Sequence, residues 1–140
     1  MNPGNEKSAP GSPAQWIAHA ESDLRMARLG AEDSAVLREQ VCFHAQQAAE
    51  KALKAILLSR KIEFPYTHDI KGLIRIAETN GVVIPPAIQQ AVVLTPYAVE
   101  TRYPGGWMDI TESDVQEALE KAEQTILWAK NRLASEGDKS

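Results

Sequence analysis

Phe43-His44-Ala45-Gln46-Gln47-Ala48-Ala49-Glu50-Lys51-Ala52-Leu53-Lys54-Ala55 decides the fold. Alanine is the best helix former, and leucine, lysine, glutamine and glutamate rank close behind it. The helix around this stretch starts behind a cap at Asp33 or Ser34 and runs to about Arg60. At about 100° per residue, its apolar set from Ala48 and Ala55 round to Leu57 covers roughly 200° of the wheel. A face that wide requires neighbours on two sides, and the alanines let them approach closely. This is the central helix of a bundle.

Helical signals continue on both sides. Ser12 is placed to cap a preceding helix, with Pro13 at its first position and Gln15 completing a capping box. Trp16, Ile17, Ala20, Leu24 and Ala27 then repeat at three- and four-residue steps, and Gly30 supplies a stop near Leu29. Downstream, Pro65 breaks the pattern. Thr67 and Asp69 open a third helix to about Thr79, closed by Asn80-Gly81. Pro85-Pro86 introduces a fourth helical stretch, Ala87 to about Leu94, which Pro96 kinks or ends. Gly105-Gly106 mark a loop. Thr111 with Asp114 begins the last helix, whose stripe Val115, Ala118, Leu119, Ala122, Ile126, Ala129 reaches about Leu133. Apart from the short run Val82–Ile84, nothing alternates with period two. The expected fold is all-α, an antiparallel up-and-down helical bundle of four to five helices. It occupies residues 12–134, between flexible tails at 1–11 and 135–140.

Composition sets limits. The 140 residues make one domain. The chain is 44% hydrophobic and 24% charged, enough for a core and typical of soluble proteins. A formal net charge of −4 means that any polyanion must be held by a local basic cluster, not by the average field. One cysteine, Cys42, excludes an internal disulfide and fits a reducing compartment. No apolar run approaches the ~20 residues of a membrane span, and the polar N-terminus is no secretory leader. A cytoplasmic location without membrane contact is the expectation.

Three constellations carry chemistry. On the central helix Gln40, His44, Gln47, Lys51 and Lys54 fall within about 80° of one another. Such a line is most often a solvated face. Its content, though, suits a nucleotide or RNA, because imidazole, amide and ammonium groups bond bases and neutralise phosphate. If it is exposed, substitutions there should leave stability within roughly 0.5 kcal/mol. Tyr66-Thr67-His68-Asp69 puts a hydroxyl and an imidazole beside free N–H groups at a helix start, which suits an anion or simply caps the helix. In Tyr97 to Pro104, Arg102 stands among aromatics and can grip phosphate or pair with Glu100 or Asp109. Cys42 falls on the apolar arc and reads as core. His19, His44 and His68 show no paired ligand spacing, so no metal or cofactor is expected.

The stretch Phe43 to Ala55 resembles the second helix of HEPN domains. Glu21-Ser22-Asp23-Leu24, Thr67-His68-Asp69-Ile70 and Arg102-Tyr103-Pro104 extend the resemblance, in family order, from about Trp16 to Leu133. It implies a helical bundle that forms a two-fold dimer; Trp16, Trp107 and Trp128, as the large apolar groups, are expected near such a surface or the core edge. It also implies a minimal nucleotidyltransferase partner in a two-component, toxin–antitoxin-like system. Many relatives are metal-independent endoribonucleases whose motif is an Arg followed, after four to six residues, by a His. Here no His follows Arg102. Arg38 and His44 match by spacing alone, and they point about 120° apart on a helix. The resemblance therefore favours a nucleotide- or RNA-binding subunit with contacts at His44, Gln47, Lys51, Lys54, Thr67, His68, Tyr97 and Arg102. A ribonuclease toxin using His44 with Arg38 or Arg102, and a structural adaptor without ligand, are the alternatives.

Overall fold

The computed structural model describes residues 11–98 and 109–138. Its elements are α1 (Pro13–Ala31), α2 (Arg38–Ser59), α3 (Ile70–Thr79), α4 (Pro86–Gln89), a 3-10 segment (Gln90–Ala98) and α5 (Glu112–Asp138). Among the described residues the architecture is all-helical, as expected.

α1 begins as its sequence dictates. Ser12 Oγ accepts from the Gln15 N–H at 3.1 Å, and Gln15 Oε1 accepts from the Ser12 N–H at 2.8 Å. The start of α2 differs from expectation. Asp33 Oδ1 instead accepts from the Ala35 N–H, which folds the connection into a turn. α2 therefore begins only at Arg38, behind Leu37, which makes no side-chain cap. Gly30 is likewise not a stop, since α1 passes through it to Ala31. A Cβ at Gly30 would meet Val36 and Val41 side chains at 3.0 and 3.2 Å, so glycine there allows close packing. The fourth stretch splits. Only Pro86–Gln89 is α-helical, and the chain around Pro96 tightens into the 3-10 form. Reciprocal Thr111–Asp114 bonds cap α5 as anticipated, and the helix continues past Leu133 to Asp138.

α2 is the hub and packs against α1, α3, the 3-10 segment and α5. Ala45, Ala48, Ala49, Ala52 and Ala55 are all fully buried, and Leu53, Ile56 and Leu57 fill the space between helices. Ion pairs fix directions. Arg28–Glu123 and Glu21–Lys130 set α1 antiparallel to α5. Asp23 beside His44 and Lys51, together with Gly30 beside Val41, sets α1 antiparallel to α2. α2 and α5 thus run parallel, tied at one end by Arg38 to Ile110 and at the other by Ser59 to Glu136. The chain returns between them through α3, α4 and the 3-10 segment. In that return Val82 and Ile84 are buried while Val83 is exposed, so the short alternation is an extended connector.

Candidate functional site

Past Gln40, which is exposed, the polar line of α2 is not a solvated face. α1 closes over one side of it, and the segment before α3 closes over the other. Lys54 is only 4% exposed, and Gln47, His44 and Lys51 are half-buried. Charges taken out of water must be paired, and two carboxylates do the pairing.

Asp23 of α1, itself buried, takes His44 Nδ1 on one oxygen at 3.1 Å and Lys51 Nζ on the other at 2.6 Å. Glu50 of α2, 3% exposed, takes His68 Nδ1 at 2.9 Å on Oε1 and Lys54 Nζ at 2.7 Å on Oε2. The buried Gln46 amide donates to Glu50 at 2.9 Å and to the His68 carbonyl at 3.2 Å. Gln47 Nε2 donates to Gln46 at 2.7 Å and reaches Glu50 at 3.5 Å. The result is a pair of similar clusters along one helix, each a carboxylate between an imidazole and an ammonium. Because each carboxylate accepts, each Nδ1 carries a hydrogen. Lys54 also sits over three rings, at 6.0 Å from Trp16, 5.8 Å from Phe64 and 5.7 Å from Tyr66. Cation–π attraction adds to its ion pair.

The remaining sequence candidates divide. Thr67 spends its hydroxyl on the Asp69 N–H at 3.0 Å, a local turn bond. Tyr97 packs against the core beside Cys42. Burial first, then the charges of Cys42, Asp114 and Glu117, push its hydroxyl up to about 12. Burial and the nearby Asp114 carboxylate push the Cys42 thiol to about 12 as well, although the Tyr97 hydrogen bond acts in the opposite sense. Cys42 is core, as read. Arg38 turns to the Ile110 carbonyl at 3.0 Å and toward Glu112 at 3.8 Å, whereas His44 faces α1. Arg38 and His44 thus turn to different partners. Arg102, Tyr103, Pro104, Trp107 and Gly105-Gly106 lie outside the described residues. The exposure on which the expected indifference of stability at His44, Lys51 and Lys54 rested is not found, because all three are partners of buried carboxylates.

Asp23 and Glu50 are the site residues that sequence reading missed. Asp23 had a signal. It stands three residues after Ala20 and four before Ala27, on the apolar stripe of α1, where an unpaired carboxylate does not belong.

A helical bundle with carboxylate-braced basic groups on its central helix defines a class of protein more than any particular one. Comparison narrows it. The HEPN domain family matches residues 14–133, and the chain belongs to that family. Among solved structures it is similar to TT1696 from Thermus thermophilus, with 28% identity over 85% of this chain and 96% of that one, at a TM-score of 0.73. It is also similar to ST0689, an archaeal HEPN homologue, with 31% identity over 87% and 98% of the two chains, at a TM-score of 0.68. No curated protein matches. No helix among the described residues is long and apolar enough to cross a membrane.

Proposed function

We propose that this HEPN protein binds a nucleotide or RNA and acts in the cytoplasm as a two-fold dimer. Its partner is a minimal nucleotidyltransferase, in a two-component, toxin–antitoxin-like system. The observation that carries the binding reading is the Asp23-centred cluster. It holds an imidazole and an ammonium, both partly exposed, in fixed positions on one helix beside the Gln47 amide. Groups already ordered by the protein lose little entropy when they meet a ligand. His44, Gln47, Lys51 and His68 form the contact set, with Arg102 added by the resemblance. Lys54, buried and spent on Glu50, serves as a support. The dimer and the partner rest on the family resemblance alone.

The test is RNA and nucleotide binding by the whole chain in chelator. His44→Ala should cost about 1.5–3 kcal/mol of affinity if the ring donates to a charged group. Lys51→Met should lower the salt slope by about 1 if it neutralises one phosphate. Both variants are compared at matched folded fraction. Retained affinity in both sinks the reading. Sedimentation at tens of micromolar (roughly the range in which weak dimers still form) checks the dimer.

One observation favours a second reading, a metal-independent endoribonuclease. His44 and His68 are each held through Nδ1 by a carboxylate, the arrangement that general acid–base catalysis uses. The first reading expects no RNA cleavage above background in chelator. Cleavage that His44→Ala abolishes, with the fold retained, decides for the second.

A further inference from the structure

A cleft of about 370 Å3 opens between the first turns of α1 and the Lys51 side chain, lined by Gly11, Gln15, Trp16, His19 and Lys51. That volume falls at the small end of ligand-binding pockets. Its walls combine two flat π surfaces, an indole and an imidazole, with one ammonium. The ammonium is in place already, because Asp23 holds Lys51 Nζ at 2.6 Å. Gln15 is equally fixed by the capping box.

The character of the indole limits what can lie against it. Lys54 Nζ stands 6.0 Å from the centre of the Trp16 ring. A ring whose electrons already attract one cation is a poorer partner for a second, which argues against a quaternary ammonium ligand. An electron-rich planar ring suits it better, since aromatic pairs follow the same quadrupole electrostatics. A larger hollow of about 620 Å3 spans the α1–α5 seam, but Glu117, Glu120 and Glu123 line it against a single Arg28. That lining repels an anion, whereas the charged group on the wall of the smaller cleft is the Lys51 ammonium.

We infer that the Trp16–His19–Lys51 cleft binds a planar aromatic ring carrying an anionic group, with the ring against Trp16 and His19 and the anion at Lys51. The inference rests on the nucleotide- or RNA-binding reading and adds a base-stacking subsite on α1, outside the His44–Gln47–His68 line. The chemistry is shared by a free mononucleotide and by one residue of an RNA strand.

Calorimetric titration of the full chain with AMP, adenosine, inorganic phosphate and a short oligoadenylate tests it. AMP should bind at least tenfold tighter than adenosine or phosphate alone. His19→Ala should weaken AMP about fivefold or more, the low end for loss of a stacking partner. Its melting temperature should not move, because His19 is exposed and the loss is confined to the cleft. Trp16→Leu should weaken AMP further, with the melting curve recorded alongside because the ring is partly buried. Oligoadenylate binding much tighter than AMP, and still sensitive to His19→Ala, assigns the cleft to RNA, and equal affinities assign it to a mononucleotide. If AMP or oligoadenylate binds and responds to His44→Ala but not to His19→Ala, the cleft is the wrong place and the broader reading survives. If neither ligand binds the wild type, both fall together.

Discussion

Glu50 shows how much one buried charge can organise. Its carboxylate is nearly inaccessible, yet it accepts from His68, Lys54 and Gln46 at 2.7–2.9 Å. Removing it leaves the buried Lys54 ammonium without its carboxylate, the situation in which breaking an ion pair costs about 3–5 kcal/mol. Glu50→Leu should therefore lower unfolding free energy by roughly that amount in urea titration. Replacing the pair together, Glu50→Leu with Lys54→Met, should recover most of the loss, since apolar residues of similar size repack without a charge to desolvate. A double variant less stable than the single one would refute the claim that the uncompensated Lys54 is the cost. None of this was legible along α2 alone. The period of the helix places Gln47, Lys51 and Lys54 on one line, but only the packing of α1 and of residues 60–69 shows that the line is covered. Asp23, by contrast, was readable from its seat on the apolar stripe.

At the scale of elements, helix positions followed from periodicity and the starts of α1 and α5 from their cap residues, whereas the end of α1 and the start of α2 did not. α2 and α3 finish alike. Ile62 N–H bonds the Leu57 carbonyl and Lys61 N–H that of Leu58, and Val82 and Gly81 do the same to Ala77 and Glu78. Both are Schellman caps, which need a left-handed residue. α3 supplies Gly81 at φ +86°, and α2 supplies Lys61 at φ 58°. A side chain there costs about 1–2 kcal/mol, partly offset by the extra entropy of glycine in the unfolded chain. Lys61→Gly should thus stabilise by about 0.5–1 kcal/mol, and Gly81→Ala should destabilise by a similar amount, in the same denaturant titration. Both changes in one direction would contradict the cap assignment. Gly30→Ala should stabilise by less than the roughly 1 kcal/mol that alanine gains over glycine within a helix, because its Cβ presses on Val36 and Val41 where α1 meets α2. No spacing rule distinguishes that close approach from a helix stop.

Across the whole molecule, the bundle was readable because the apolar faces of the first, second and last helices have to bury against one another, whereas the return from α2 to α5 was not. Only the 3-10 segment reveals what that return does to the core. It places Tyr97 against Cys42 of α2, with Asp114 of α5 close enough to act on both, so three elements share one protonated pair. The sign follows from linkage. Both groups hold their protons more tightly folded than unfolded, with ordinary values of 9.0 for Cys42 and 10.0 for Tyr97 against about 12 for each when folded. Their contribution to stability is complete below about pH 9 and is lost as pH rises toward about 12. Where only the unfolded thiol is ionised, unfolding free energy should fall by up to about 1.4 kcal/mol per pH unit from Cys42 alone. Cys42→Ala, although less stable at neutral pH from its cavity, should show a shallower decline between about pH 9 and pH 11. Native Cys42 should also react with a thiol reagent at about pH 8 no faster than the protein opens, since the thiolate is the nucleophile and this thiol is fully buried. Rapid labelling of the folded protein, or parallel alkaline curves for wild type and Cys42→Ala, would show that the 3-10 segment does not seal this corner of the core.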